Sequence, residues 1–114
     1  MASKLTLKDP TLLRDACPVA GAWVAADNGA TITVDNPSTG AVVGHVPNMG
    51  MAETRRAIEF ANAALPAWRA RTAKERAVIL RRWFDLMMAN QDDLGAIMTA
   101  EQGKPLAEAK GEIA

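Results

Sequence analysis

Hydrophobic and polar residues follow different patterns in the two halves of the chain. Residues 1–50 hold short apolar and β-branched runs separated by turn-forming proline, glycine and asparagine. Residues 51–114 are rich in alanine, leucine, methionine and arginine, which favour helices. The pattern therefore predicts strands and turns over 1–50 and a helical segment over 51–114.

The first half predicts a bent pair of extended segments and then a hairpin. Residues 19–24 form two short apolar pieces that we expect to bend at Gly21. Residues 31–34 are all β-branched and predict a strand, with residues 41–46 as the return strand. Residues 36–40 between them predict a turn, because Pro37 presets φ and Gly40 tolerates positive φ.

The second half predicts a series of amphipathic helices. Apolar residues recur at helical spacing from about Met51, and we expect Pro66 to end this first helix because proline has no amide hydrogen. Thr72 and Glu75 have the spacing of a capping box, so a second helix begins there. Its apolar stripe predicts a wide buried face, formed by Ala77, Ile79, Leu80, Trp83, Phe84, Leu86 and Met87.

Two more helices are predicted towards residue 114. Asn90 is expected to end the second helix and cap the third, with Asp92 and Asp93 at its positive end. Gly103 ends the third helix, and Pro105 is expected to begin the fourth. The residues of the fourth helix expected to face inward are Leu106, Ala109 and Ile113. That amphipathic pattern still runs at the last residue without a cap, so we expect a piece of a longer protein.

Composition and charge exclude several classes of partner. Thirteen basic and thirteen acidic side chains cancel, so no net field favours nucleic acid or an anionic membrane. No run reaches the roughly 18 apolar residues that a membrane span requires. The single cysteine, Cys17, excludes an intrachain disulfide framework and suits a reducing compartment. We therefore expect a cytoplasmic protein.

The chemically reactive residues do not form a recognisable motif. Gly103-Lys104-Pro105 lacks the first glycine and the final Ser or Thr of a phosphate loop, and no Gly-x-Gly-x-x-Gly occurs. Cys17 precedes a proline and has no evident activating base, so we expect an inert thiol. His45, the only histidine, has no neighbours at the spacing of a transition-metal site.

Several short motifs, in this order and spacing, resemble the start of the aldehyde dehydrogenase superfamily. They are Val19-Ala20-Gly21-Ala22-Trp23, Asn36-Pro37-Ser38-Thr39-Gly40, Gly50-Met51-Ala52-Glu53, Ala57-Ile58, Trp68 before Thr72, and Glu101-Gln102-Gly103-Lys104-Pro105. Residues 72–112 are similar to bacterial succinate-semialdehyde dehydrogenases in particular. The resemblance implies an α/β fold: short β-hairpins followed by several α-helices, as the N-terminal portion of a Rossmann-like cofactor domain. Both 1–50 and 51–114 would belong to that one incomplete domain of a larger subunit, commonly a homodimer or homotetramer.

The resemblance also implies an activity for the full-length protein. It would oxidise succinate semialdehyde to succinate with NAD or NADP, through a cysteine thiohemiacetal and a thioester that a glutamate-activated water hydrolyses. In the family those groups, the cofactor contacts and the substrate contacts all lie beyond residue 114. We therefore expect residues 1–114 alone to be inactive. Glutarate-semialdehyde or betaine-aldehyde dehydrogenase is an alternative enzyme, and a helical interaction module is an alternative of another class.

One ligand site is implied within the chain itself. Some relatives bind a monovalent cation beside the residues before Asn-Pro and beside the acidic residue before x-Gly-Lys-Pro. The matching positions here are Val34, Asp35 and Glu101. Glu101 is the one side chain among them that the resemblance singles out as a metal ligand.

Overall fold

The computed structural model describes residues 5–114, and it confirms an α/β chain in which strands precede helices. The elements are a 3₁₀ helix at Pro10–Leu12, β1 Cys17–Val19, β2 Ala22–Val24, β3 Thr31–Asp35, β4 Val42–Pro47, α1 Met51–Ala70, α2 Ala73–Ala89, α3 Gln91–Gln102 and α4 Leu106–Ile113. The strands form two separate antiparallel pairs, β1 with β2 and β3 with β4.

The first antiparallel pair is closed by a turn of two residues. Ala20 and Gly21 both have positive φ, 52° and 79°, which is the backbone of a type I′ turn. This turn matches the right-handed twist of the strands that it joins, so the predicted bend at Gly21 is confirmed.

The second pair is the predicted hairpin, with an irregular register between Val34 and Asp35. The Asn36 side-chain oxygen accepts the backbone amides of Ser38 and Thr39, at 2.9 and 3.2 Å. Gly40 closes the turn with a φ of 71° and donates its amide to the Asn36 carbonyl at 2.8 Å. Gly40 therefore closes the turn as the sequence predicts, whereas the two bonds accepted by the Asn36 side chain were not predicted.

The predicted end of α1 at Pro66 is wrong. The helix continues through Pro66 to Ala70, and the Arg71 amide then bonds to the Trp68 carbonyl at 3.2 Å. A proline inside a helix removes one hydrogen bond and bends the axis, but it does not prevent the following residues from resuming helical geometry. Trp68, beyond the proline, is half-buried on a helix that is otherwise mostly exposed.

The boundaries of α2 and α3 follow the sequence except at Asn90. The capping box is present: Thr72 Oγ1 accepts the Glu75 amide at 3.2 Å, and Glu75 Oε2 accepts the Thr72 amide at 2.7 Å. Asn90 does not cap α3 with its side chain. Its Nδ2 instead donates at 2.9 Å to the Leu86 carbonyl, which also accepts the Asn90 backbone amide, so the side chain is engaged at the end of α2. Gly103 ends α3 as predicted, and its φ of 82° is left-handed.

The core lies where α3 packs on α4, and it is small. Ala109 of α4 is fully buried, and Gly95 of α3 is buried against Lys110. Asp93 of α3 is buried beneath Lys8 and Asp9, and Ala26 is buried apart from this contact. Two predictions about inward faces are wrong in the described residues: Leu106 is 45% exposed, and α2 has no buried residue. The apolar stripe of α2 is correctly located, but nothing within residues 5–114 covers it.

Candidate functional site

One side of α2 exposes a cluster of large apolar side chains. The α2 apolar face consists of Ile79, Leu80, Trp83, Phe84 and Leu86, whose spacing places them on one side of the helix. These side chains are between 40% and 63% exposed. Contiguous exposed apolar area of this kind marks an interaction surface.

Basic and acidic side chains stand beside the α2 apolar face. The guanidinium of Arg81 lies 4.9 Å from the centre of the Phe84 ring, and its Nε lies 3.4 Å from an oxygen of Asp85 one turn later. An apolar centre with a polar rim is the usual composition of a protein interface. The geometry therefore suits docking against another protein surface, and it offers no group for catalysis.

A second surface feature is a groove of about 1240 Å³ to which α2 contributes no lining residue. Its walls come from residues 5–13, the turn of the β3–β4 hairpin and one side of α3. The apolar side chains that line it include Leu5, Leu7, Pro10, Leu13, Val43 and Ala96. This groove is open to solvent and mostly apolar, so it too suits covering by protein better than binding of a polar substrate.

The two residues with intrinsic reactivity lie apart from these surfaces. Cys17 is a half-buried free thiol on β1, opposite Val24, and His45 is exposed on β4 opposite Thr33. Across residues 5–114 no three His, Cys, Asp or Glu side chains come together as a metal site would require. In the same range no helix is long and apolar enough to cross a membrane.

The residues predicted for a monovalent cation are only partly brought together. Val34 and Glu101 line one recess of about 320 Å³, whereas Asp35 does not line it. Arg14 and His45 line the same recess, and the Arg14 guanidinium also lies 4.4 Å from the centre of the Trp23 ring. The carboxylate residue Asp15 lines the recess as well, and Glu101 itself is exposed.

The described residues do not fit a nicotinamide dinucleotide. Such cofactors bind at the carboxyl ends of parallel strands, next to a helix N-terminus, whereas every strand pair within 5–114 is antiparallel. The N-termini of α1 and α2 are already occupied by the carboxylates of Glu53 and Glu75. No step of cofactor chemistry is therefore assigned to these residues.

Hydrogen bonds lower the pKa values of the two capping carboxylates. Glu53 accepts the Asp27 amide at 3.0 Å and the Gly50 amide at 2.9 Å, and these bonds, the Asp27 bond first, lower its pKa. The bonds from Thr72 lower the pKa of Glu75 in the same way. Asp27 also accepts two short bonds from Arg56, at 2.6 and 2.7 Å, which raise the pKa of the guanidinium.

Sequence reasoning missed the role of the two aspartates at the start of α3. Asp93 is only 6% exposed, and its two oxygens accept the backbone amides of Lys8 and Asp9 at 3.0 and 2.8 Å. Asp92 pairs with the ammonium groups of Lys110 and Lys8, at 2.8 and 3.1 Å, and both pairings, Lys110 first, lower its pKa. No local pattern signals a bond across more than 80 residues.

Known proteins resemble almost the whole chain. A glutarate-semialdehyde dehydrogenase of Pseudomonas aeruginosa is 70% identical over 96% of this chain, and the match covers 23% of that relative. The NADP(+) succinate-semialdehyde dehydrogenase of Escherichia coli is 61% identical over the same shares of both chains. The chain thus spans about a quarter of the length of the curated relatives that it matches.

The fold and the family agree with these relatives. The crystal structure of an aldehyde dehydrogenase from Brucella melitensis biovar abortus superposes with a TM-score of 0.93 at 56% identity, over 96% of this chain and 23% of that one. The α/β arrangement described above is therefore that of an N-terminal segment in such enzymes. Residues 23–114 also match the model of the aldehyde dehydrogenase family. The chain belongs to the aldehyde dehydrogenase family.

Proposed function

We propose that the full-length protein oxidises succinate semialdehyde to succinate, with NAD+ or NADP+ as the electron acceptor. The support is the similarity to the E. coli enzyme of that name over nearly all of this chain. Glutarate semialdehyde is the alternative substrate, and the higher identity to the P. aeruginosa enzyme favours it. The two aldehydes differ by one methylene, which typically changes kcat/KM only about 10- to 200-fold.

Residues 1–114 serve in this proposal as one incomplete cofactor-binding domain, formed by 1–50 and 51–114 together. The observation that supports it is the α2 apolar face, which is well formed as a helix and yet exposed. The rest of the subunit supplies the cover for this face, the catalytic cysteine and glutamate, and the contacts to the cofactor. A dimer or tetramer of such subunits in the cytoplasm completes the proposal, and light scattering of the full-length protein measures the subunit number.

Steady-state kinetics of the full-length protein test the activity. Succinate semialdehyde, glutarate semialdehyde and betaine aldehyde are each assayed with NAD+ and with NADP+, and reduced cofactor is followed by absorbance. We expect the two semialdehydes to be oxidised with kcat/KM values well above that of betaine aldehyde. A preference for betaine aldehyde contradicts the substrate class. Absence of all three activities favours the alternative of a helical interaction module.

Residues 1–114 on their own provide the matched negative control. We expect no reduction of either cofactor by this segment, because its described residues fit no dinucleotide and Cys17 lacks an activating base. Measurable turnover by the segment would mean that part of the catalytic machinery lies within it.

We also propose Glu101 as a ligand of a monovalent cation, with the Val34 side of the β3–β4 hairpin contributing backbone carbonyls. The support is that Val34 and Glu101 line one recess. Anomalous scattering from thallium-soaked crystals of the full-length protein tests this. We expect a peak beside Glu101 that disappears in Glu101→Gln, and no peak in the wild type rejects the site.

A further inference from the structure

Residues 5–13 cross the start of α3 as a strap, and one buried side chain of α3 holds two of its backbone groups. The amides of Lys8 and Asp9 both donate to the carboxylate of Asp93, at 3.0 and 2.8 Å. Asp93 is buried, with 6% of its surface exposed. Two backbone hydrogen bonds to one buried side chain make a strong local anchor, because breaking them leaves buried polar groups without partners.

The other contacts around this carboxylate are weaker in kind. The Lys8 ammonium reaches Asp92 at 3.1 Å, but the two side chains are 81% and 56% exposed. Ion pairs with that exposure are screened by water and contribute little. The Asp9 side chain is engaged within the strap itself, where it accepts the amide and hydroxyl of Thr11 at 3.0 and 2.6 Å. That local bonding gives the strap a fixed shape of its own.

The apolar side of the strap forms a wall of the groove. Leu7, Pro10 and Leu13 line it together with Ala96 and Ala100 of α3. The strap therefore has its own internal hydrogen bonds, one strong anchor and one apolar side. Segments of this kind can open locally as one unit while the helix beneath them, here α3, stays folded.

We propose that Asp93 anchors residues 5–13 to α3, and that the strap opens as one unit whose frequency the Asp93 carboxylate sets. Opening widens the groove and exposes its α3 wall. The device is independent of catalysis: it depends on Asp93 as a hydrogen-bond acceptor and on the two strap amides as donors.

Hydrogen exchange of the full-length protein, followed by mass spectrometry, tests the anchor from both sides. On the α3 side, Asp93→Asn replaces one accepting oxygen by an amide group that cannot accept, and Asp92→Asn is the control that removes only the exposed ion pair. On the strap side, Lys8→Pro removes one donated amide, and Lys8→Ala is the control that keeps it.

We expect the peptide covering residues 5–13 to exchange roughly tenfold faster or more in Asp93→Asn and in Lys8→Pro. The peptide covering α4 exchanges at the wild-type rate in both variants. In the controls Asp92→Asn and Lys8→Ala, the strap peptide exchanges within about twofold of the wild-type rate. If Asp93→Asn speeds exchange throughout the protein, the comparison of Lys8→Pro with Lys8→Ala becomes the test of the anchor. Equal strap exchange in Lys8→Pro and Lys8→Ala overturns the proposal, and so does unchanged strap exchange in Asp93→Asn.

Discussion

At the scale of single residues, Gly95 shows how tightly α3 meets α4. A Cβ atom at this position would lie 2.9 Å from Cγ of Lys110 and 3.5 Å from its backbone nitrogen. The Lys110 side chain would have to move, and with it the ammonium group that pairs with Asp92 at 2.8 Å. Gly95 is therefore required by the close approach of the two helices, since its own φ is not in the left-handed region.

Gly95→Ala is expected to destabilise the full-length protein, and Gly111→Ala in α4 is the matched control. Overpacking costs about 1–3 kcal/mol, and the better helix propensity of alanine offsets about 1 kcal/mol of that. A Cβ at Gly111 meets nothing within 4 Å, so this variant keeps only the gain. We expect the melting temperature to be highest for Gly111→Ala, intermediate for the wild type and lowest for Gly95→Ala, when all three are measured side by side. The reverse order for the two variants contradicts the close approach.

Acid is expected to weaken the structure through its hydrogen-bonded carboxylates. The pKa values of Glu53, Glu75 and Asp92 are lowered in the folded state. A lowered pKa adds stability above the unfolded value, about 4, and that stability is lost as the pH falls through the folded value. The melting temperature should therefore drop between about pH 5 and pH 3.

Glu53→Gln identifies one source of this acid sensitivity. The glutamine cannot ionise, so the variant is less stable near neutral pH and its melting temperature falls less steeply in acid than that of the wild type. Glu59→Gln, on the same helix, is the control and should keep the wild-type slope. An equal slope in Glu53→Gln and wild type would show that Glu53 carries none of the effect.

At the scale of elements, the start of α2 depends on one reciprocal pair of hydrogen bonds. Thr72→Ala removes the hydroxyl that accepts the Glu75 amide, and loss of such a cap costs about 1 kcal/mol. Thr54→Ala is the control, because the Thr54 hydroxyl only donates to the Gly50 carbonyl within α1. The melting temperature of the full-length protein should fall clearly in Thr72→Ala and only slightly in Thr54→Ala. Equal losses would mean that the cap is not the cause.

Elements whose signals are local could be predicted from the sequence, and those that depend on distant groups could not. The Gly21 bend, the capping box at Thr72 and the end of α3 at Gly103 are confirmed, because each is decided within a few residues. The prediction that α1 ends at Pro66 was wrong because a helix can bend at a proline and continue. The prediction that Asn90 caps α3 was wrong because its side chain is engaged at the end of α2.

The candidate site was predictable only in part for the same reason. The periodicity located the α2 apolar face correctly, but its exposure depends on what surrounds the helix. The role of Asp93 depends on amides 84 and 85 positions away, so no local pattern contains it. The membership of the family followed from the order of short motifs, which the comparisons confirm.

At the scale of the whole molecule, the α2 apolar face bears directly on the proposal that further parts of a longer subunit cover it. Leu80 lies on that face, whereas Val78, two positions earlier, lies about 200° around the helix. Both are exposed in residues 5–114, at 51% and 62%. In the full-length protein we expect Leu80→Ser to cost about 2–5 kcal/mol, as for a buried large-to-small change, and Val78→Ser to cost much less. Similar costs for the two variants would mean that α2 does not dock through this face.

Most of the packing joins elements that are neighbours in sequence: β1 with β2, β3 with β4, and α3 with α4. Contacts of such short loop length form quickly, so these pairs can assemble soon after they leave the ribosome. Within residues 5–114 the α2 apolar face has no such neighbour, and under the proposal of a longer subunit it stays in water until later residues are synthesised. A chaperone that recognises exposed apolar helices would therefore meet the nascent chain at α2, and the speed of translation after this point sets how long that exposure lasts.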